Sequence, residues 1–268
     1  MSGYAGTLGA HLRRAPRPSL RFIPVWRRNF LVWRKLIVPS LLGNFADPLL
    51  YLLVLGYGLG RLVGEVEGLG YMAFLATGIV CSSAMMGATF EALYSAYTRL
   101  TMQQTWAAML NAPLSVDDVV IGEIAWAATK ALINAAAILV VTLILGLAGG
   151  WGAVLVLPVV LLAGLCFAGL AMIVTTVSRS YDFFLYYFTL VITPMMLVSG
   201  VFFPLSELPD AVARGAMALP LAHVVALVRP LMTGAWPSLI PLHLGVIAAY
   251  AAAAIWLACA LARRRLQT

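Results

Sequence analysis

RLTMQQTWAAMLNAPLSVDDVVIGE, residues 99–123, is the longest polar-bearing break between two strongly apolar runs of this 268-residue chain. It has the pattern of a short helix with both ends marked. Thr101 and Gln104 fit a capping box, with a hydroxyl at the N-cap and an amide three residues on. Met102, Trp106, Met109 and Leu110 then fall on one helical face, and Asn111-Ala112-Pro113 stops the run. A second start follows at Ser115, with Asp117 and Asp118 in the first turn, where the helix dipole favours negative charge. A capped amphipathic helix needs a partner for its apolar face. A lipid surface and a soluble protein both qualify, and the flanking sequence must decide between them.

The flanks are apolar throughout. Hydrophobic residues make up 63% of the chain and charged residues 10%, with a mean hydropathy of +0.97. A water-soluble domain of this length carries far more charge. The fold class expected is therefore an all-α polytopic membrane protein. The 17 basic against 10 acidic residues then report topology and lipid contact before nucleic acid, and no nucleic-acid partner is expected. Cys81, Cys166 and Cys259 each lie in an apolar run, and His11, His223 and His243 are far apart in sequence. Neither a disulfide framework nor a metal site is expected. The basic first 35 residues lack an apolar core followed by small residues, so no cleavable leader is expected. No 20–50-residue repeat is visible.

Taken in order, residues 1–18 are polar, basic and Pro-containing, and predict a disordered cytoplasmic tail. Residues 19–38 predict an interfacial amphipathic helix. Phe22, Trp26, Phe30, Trp33 and Ile37 form one stripe, with Arg21, Arg27, Arg28, Arg34 and Lys35 opposite it. Six spans follow at about 39–60, 71–97, 116–147, 154–177, 183–203 and 239–261, since about 20 helical residues cross the hydrocarbon core. The apolar part of the third begins at Ile124. Asp47-Pro48 interrupts the first span, where Pro48 predicts a kink or a restart with Asp47 as its cap. Residue counting places Glu91 and Lys130 within a turn of the same membrane edge, so a Glu91–Lys130 pair is geometrically open. The cluster Phe183–Phe188 reads either as an interfacial belt or as a stacking surface for sugar or lipid. Residues 204–236, divided by Pro204, Pro209, Pro220 and Pro230, hold short apolar pieces at 211–219 and 221–228. None is long enough to span, and they predict helices that dip into the membrane and return.

Six spans put both termini on one side. That side carries thirteen Lys/Arg: eight before residue 36, then Arg99, Arg179 and the three at 263–265. The other side carries Arg61, Arg214 and Arg229. The positive-inside rule makes the termini and residues 99–123 cytoplasmic, and 204–236 external. The amphipathic helix is then open to a cytosolic protein. The chain has no GxxxxGK[ST] loop to cradle a nucleotide phosphate, and no GxSxG or HExxH. No enzymatic activity of its own is expected. An ion-coupled carrier would need a buried acid, with Asp47 the one candidate near a midplane.

Three stretches carry a family resemblance: FADPLLYLLVLGYGLG (45–60), FEALYSAYTRLTMQQTWAAMLNAPLSVDDVVIGEIAWAATKA (90–131), and SGVFFPLSELP with LPLAH and VRPL (199–231). In these the chain resembles the type-2 ABC exporter permeases, and among them the lipo-oligosaccharide exporters. The resemblance covers nearly the whole chain beyond residue 18. It implies two copies forming the pathway in the bacterial cytoplasmic (inner) membrane. It implies a cytosolic ATP-binding subunit, also in two copies, that holds ATP and Mg; this chain binds no cofactor itself. That subunit would dock on a coupling helix at 101–113, through Thr101, Met102, Gln104, Thr105, Trp106, Met109 and Leu110, with Trp106 as the aromatic anchor. The external hairpin, with Phe202, Phe203, Pro204, Pro220 and Arg229, would stand near the exit. Tyr51, Tyr57, Phe184, Tyr187 and Phe188 are the candidate cargo-facing aromatics. The implied cargo is an amphipathic lipo-oligosaccharide or a polysaccharide-like molecule. Efflux of drugs or other hydrophobic molecules, an ion-coupled carrier and a non-transporting membrane scaffold remain as alternatives.

Overall fold

A computed structural model describes residues 14–16 and 19–267, without the side chains of residues 38, 41–45, 47 and 267. The predicted tail 1–18 (residues 14–16 apart) and the Asp47 side chain lie outside the described residues. The chain runs through α1 (Phe22–Arg34), α2 (Ile37–Val63), a short ribbon of β1 (Glu65–Val66) and β2 (Leu69–Gly70), α3 (Tyr71–Met102), α4 (Thr105–Leu110), α5 (Val116–Ile144), α6 (Gly152–Val177), α7 (Asp182–Val198), α8 (Asp210–Ala216), α9 (Pro220–Thr233) and α10 (Ile240–Gln267). The ribbon is the one departure from an all-helical course among the described residues. Glu67 and Gly68 turn it with φ of 52° and 74°, a two-residue turn of the kind that suits the twist of paired strands.

Four helices, α3, α5, α6 and α10, are long and apolar enough to cross a membrane. The pair α8–α9, bent by 86°, makes a fifth if counted as one span. The apolar stretches Pro48–Val63 of α2 and Asp182–Val198 of α7 are shorter. Helix α2 continues through Pro48 as one helix, although Pro48 removes one bond from its ladder. Helix α9 likewise runs on past Pro230 to Thr233, beyond the predicted end near residue 228. It starts with Pro220 in its first turn, where proline's fixed φ suits a helix.

The apolar window of α3 is 72% buried against 33% for α10, so α3 is the central rod and α10 a peripheral one. Small residues allow the close crossings. A methyl group on Gly164 of α6 would lie 3.0 Å from Ala128 Cα of α5, the tight backbone approach on which helix packing in lipid depends. Gly122 does the same for α1: a methyl there would come within 2.6 Å of Val25 Cβ and 2.9 Å of the Phe22 carbonyl oxygen.

Charge collects at one end of the bundle. Ser19 Oγ donates to Asp118 Oδ1 at 2.6 Å, and Arg21 Nη1 to the Pro113 carbonyl at 3.0 Å. Arg263 meets Asp117 at 3.5 Å. Arg265 Nη1 reaches the carbonyls of Thr175, Thr176 and Ser178 at 2.9–3.1 Å, a cation capping the orphan carbonyls where α6 ends. The Ser115 start forms as a full capping box. Asp118 N donates to Ser115 Oγ at 3.1 Å and Ser115 N to Asp118 Oδ2 at 2.9 Å.

The predicted Thr101/Gln104 box does not form. Helix α3 runs on to Met102 through widened π turns at Glu91–Ser95 and Thr98–Met102. Thr101 is therefore still inside a helix, bonded to the Tyr97 carbonyl at 2.8 Å. Gln104 takes φ of 51°, and α4 begins one residue later without a side-chain cap. The amphipathic helix expected over 101–113 is thus Thr105–Leu110, with its N-terminal part absorbed into α3.

Candidate functional site

Four elements converge on two buried carboxylates. Glu91 sits on the first π turn of α3 and Glu123 on α5, 3% and 1% exposed. Arg99 Nη2 bridges them, at 2.9 Å to Glu91 Oε1 and 2.6 Å to Glu123 Oε2. Arg99 Nε also donates to both Glu123 oxygens at 3.0 Å. Eight residues of α-helix separate Glu91 and Arg99 by about 12 Å; the wider π turn between them shortens that rise and brings the two side chains together. Lys130 Nζ lies 2.8 Å from Glu91 Oε2. Indole N–H groups complete the shell: Trp126 Nε1 to Glu91 Oε1 at 2.9 Å, and Trp106 Nε1 to Glu123 Oε1 at 3.2 Å. Asn29 of α1 adds a bond to Glu123 Oε2 at 3.0 Å. Every carboxylate oxygen has a donor, which is what makes burial of two acids tolerable.

This joint changes the reading of the amphipathic helix. Trp106 is fully buried, so its expected place on a protein-facing surface is corrected. Its indole needs a buried acceptor and finds Glu123, and its ring fills the space under α3 and α5. Met109 and Leu110 pack partly against the core as well. The outward side is formed by Met102, 69% exposed, with Gln103, Gln104, Ala107 and Ala108. Thr105 Oγ1 lies 3.4 Å from Gln103 Oε1 at the edge of that side.

The aromatic stripe of α1 also turns inward. Trp26 stacks on Phe30 and donates to Thr129 Oγ1 at 2.9 Å, while Phe30 and Trp33 pack edge-on against Trp126 of α5. The apolar groups α1 and its flanks leave exposed are Leu20, Ile23, Leu31, Val32 and Leu36.

Beside the joint, a cavity of about 540 Å³ opens between α2, α3, α5 and α7. Glu91 and Lys130 stand at one end of it, Asn134 and Ser83 along it, and Tyr51, Phe90, Tyr94 and Phe202 form its aromatic walls. The candidate aromatics divide here. Tyr51 and Phe202 face the cavity, 6.5 Å apart between ring centroids. Phe188 backs the wall, 4.7 Å from Phe90. Phe184 is fully buried among Tyr94, Tyr97 and Tyr181, so its expected exposure to cargo is corrected. Only Phe184 of that run turns in against the α3 tyrosines; Phe183 and Tyr186 beside it stay exposed, at 47% and 61%. Tyr187 is half-buried, and its enclosed hydroxyl has no hydrogen-bond partner among the described residues. Tyr57 lies apart, in a shallow groove near Arg61 and Tyr71.

At the other end, Arg229 of α9 holds the hairpin. It donates to the Gly200 carbonyl at 2.6 Å and to Thr77 Oγ1 at 3.0 Å, lies 3.7 Å over the Phe74 ring, and comes 3.8 Å from Glu67. Phe203 is half-buried, while Pro204 and Pro220 are buried. His223 and His243, remote in sequence, meet with their Nδ1 atoms 2.7 Å apart, and His223 Nε2 lies 2.9 Å from the Met217 carbonyl. No group of three or more metal-ligating side chains occurs among the described residues.

Arg99, Glu123, Trp126 and Asn29 were not among the sequence candidates. Their one visible signal was charge at positions 91, 99, 123 and 130 in two largely apolar helices.

Long apolar helices, tied at one end by buried charge and walling an aromatic cavity, define a multi-pass membrane transport protein. The chain belongs to the ABC-2 type transporter family, which it matches over residues 21–233. It is 47% identical over 251 residues to nodulation protein J of Rhizobium meliloti (strain 1021), covering 94% of this chain and 96% of that protein. Nodulation protein J of Bradyrhizobium diazoefficiens is 44% identical over 264 residues, 98% of each. The inner membrane transport permease YadH of Escherichia coli K12 is 20% identical over 185 residues, 69% of this chain and 72% of that one. The chain is thus an ABC transporter permease of the bacterial inner membrane, a transport subunit and not itself a catalyst.

Proposed function

We propose that two copies of this chain form the outward pathway of an ATP-driven exporter. Each copy crosses the membrane six times, through α2, α3, α5, α6, α7 and α10. Helix α1 lies in the cytoplasmic interface, and α8–α9 re-enter from the outside. A separate cytosolic ATP-binding subunit, carrying ATP and Mg, docks on the outward side of α4, around Met102, Gln104, Thr105 and Ala108. The observation that carries this reading is the shared membership of Glu91 and Lys130 in the charge joint and in the cavity wall. Displacement of α4 reaches Glu123 through Trp106, then Glu91 and Lys130 through Arg99, and so the cavity.

The cargo is an amphipathic lipo-oligosaccharide. The cavity offers hydroxyl, amide and charged groups beside aromatic faces, a lining suited to sugar rings that carry an apolar chain. Efflux of a hydrophobic drug is the second reading, favoured by Ile79, Met86 and Met196 on the same wall. An ion-driven carrier has less support, because Glu91 and Glu123 are both held by cations.

The test is reconstitution of the chain with its ATP-binding subunit in vesicles. Lipo-oligosaccharide is expected to stimulate ATP hydrolysis and to cross the bilayer. Stimulation by hydrophobic drugs alone would select the second reading, and no stimulation by either would leave a scaffold. Transport that survives Asp47→Asn but stops on ATP removal would dispose of ion coupling.

A further inference from the structure

A second cavity, of about 330 Å³, lies under α1, between it, the start of α2 and the π turns of α3. Three cations border it, Arg28, Arg99 and Lys130, against the two carboxylates of the joint. Glu91 is divided between Arg99 and Lys130, and Arg99 takes Glu123. Arg28 is left over. Its Nη1 donates to Asn29 Oδ1 at 3.0 Å, and among the described residues no carboxylate reaches it. A guanidinium has five N–H donors and stays charged. Burial first, and then the charge of Arg99, draw the Arg28 pKa below the ordinary arginine value, while Glu123 acts the other way. The cavity therefore carries a half-buried cation whose charge is incompletely balanced and whose donors have room in front of them.

The rim says what would balance it. Leu31, Val32 and Leu36 are 39%, 50% and 57% exposed, and Val32 and Leu36 line the cavity itself. A free inorganic anion would leave those side chains bare. A lipid phosphate would bring acyl chains to cover them.

We propose that this cavity is a binding site for the phosphate of an anionic phospholipid, with Arg28 as its principal ligand and Val32 and Leu36 against the lipid's apolar part. The inference goes beyond the cargo reading but rests on α1 lying in the interface. A bound headgroup would complete the charge balance of the joint and hold α1 against α3, making the coupling path sensitive to lipid composition.

Native mass spectrometry of the full chain in detergent, titrated with phosphatidylglycerol or phosphatidylcholine, tests it. The wild type is expected to prefer phosphatidylglycerol. Arg28→Gln is expected to weaken that binding about tenfold, the value of one charge-assisted bond. Arg27→Gln removes the same charge from an exposed position and is expected to bind as the wild type does. Equal losses in both variants, or none in Arg28→Gln, would overturn the site. Displacement of the lipid by an equal concentration of glycerol phosphate would overturn the lipid as its ligand. Should Arg28→Gln not fold, Val32→Asp places an anion at the exposed rim and is expected to give the same loss; unchanged binding there would also overturn the site. A spin label at Leu31→Cys in vesicles checks the interfacial position separately: relaxation by aqueous nickel and not by oxygen would remove that reading whatever the binding result.

Discussion

At the scale of single residues, the charge joint is where one substitution should matter most. Removing one partner of a buried ion pair strands the other, typically at a cost of about 3–5 kcal/mol. Glu91→Gln leaves Lys130 without its carboxylate and removes one of the two that Arg99 bridges. Melting of the purified protein in detergent should show a large loss of stability. Adding Lys130→Met removes the stranded charge, so the double variant should be more stable than Glu91→Gln alone. A double variant at or below the single would mean that Lys130 finds its charge balance elsewhere. The histidine pair poses a similar accounting problem. The Met217 carbonyl can only accept, so a neutral His223 carries its proton on Nε2, and His243 must donate across the 2.7 Å contact. His243→Leu should therefore cost about 1–3 kcal/mol by leaving the His223 acceptor unmet. His223→Phe with His243→Leu should cost less than the two single changes added together, and simple additivity would show that the hydrogen bond contributes nothing.

At the scale of elements, α4 has a buried side and an exposed side that its sequence pattern merged. Trp106→Ala should empty a buried volume and cost about 3–5 kcal/mol, seen as lost folded protein in size-exclusion profiles of membrane extracts. Ala108→Asp, on the exposed side, should leave that profile unchanged and weaken pull-down of the ATP-binding subunit. The opposite pattern would place the docking face on the other side of α4. Periodicity made the stripe of Met102, Trp106, Met109 and Leu110 legible, and Asn111-Ala112-Pro113 made its end legible. What covers an apolar stripe is a tertiary fact, and here α3 and α5 cover part of it. The same holds for Trp26, Phe30 and Trp33, read as a lipid-facing stripe and found against Trp126. Capping chemistry at Ser115 was local and readable. The π turns were not, since they depend on how α3 seats Glu91 and Arg99 against Glu123. Nor was the meeting of His223 with His243, which requires the α9–α10 packing to exist first.

At the scale of the whole molecule, orientation is the statement that joins charge to function. The positive-inside rule assigns thirteen basic residues to one side, and the bundle gathers several of them at a single end. Arg21 sits on the α4–α5 loop, Arg99 on the joint, Arg263 on the start of α5 and Arg265 on the end of α6. Arg229 and Glu67 stand at the far end, by the hairpin. Lipid orients such a gradient, because cationic segments resist translocation. The native cysteines are suited to a direct test, since Cys81, Cys166 and Cys259 are all fully buried and should give little background with a membrane-impermeant maleimide. Gln103→Cys, beside α4, should be labelled only when the cytoplasmic face is opened. Asp210→Cys, at the start of α8, should be labelled on intact spheroplasts. Labelling of residue 103 from outside would invert the molecule, and would remove α4 from the reach of any cytosolic ATPase. Labelling of both from outside would instead remove a crossing between them, and with it the proposed six-span arrangement, in which the cavity lies between the proposed docking face and the hairpin.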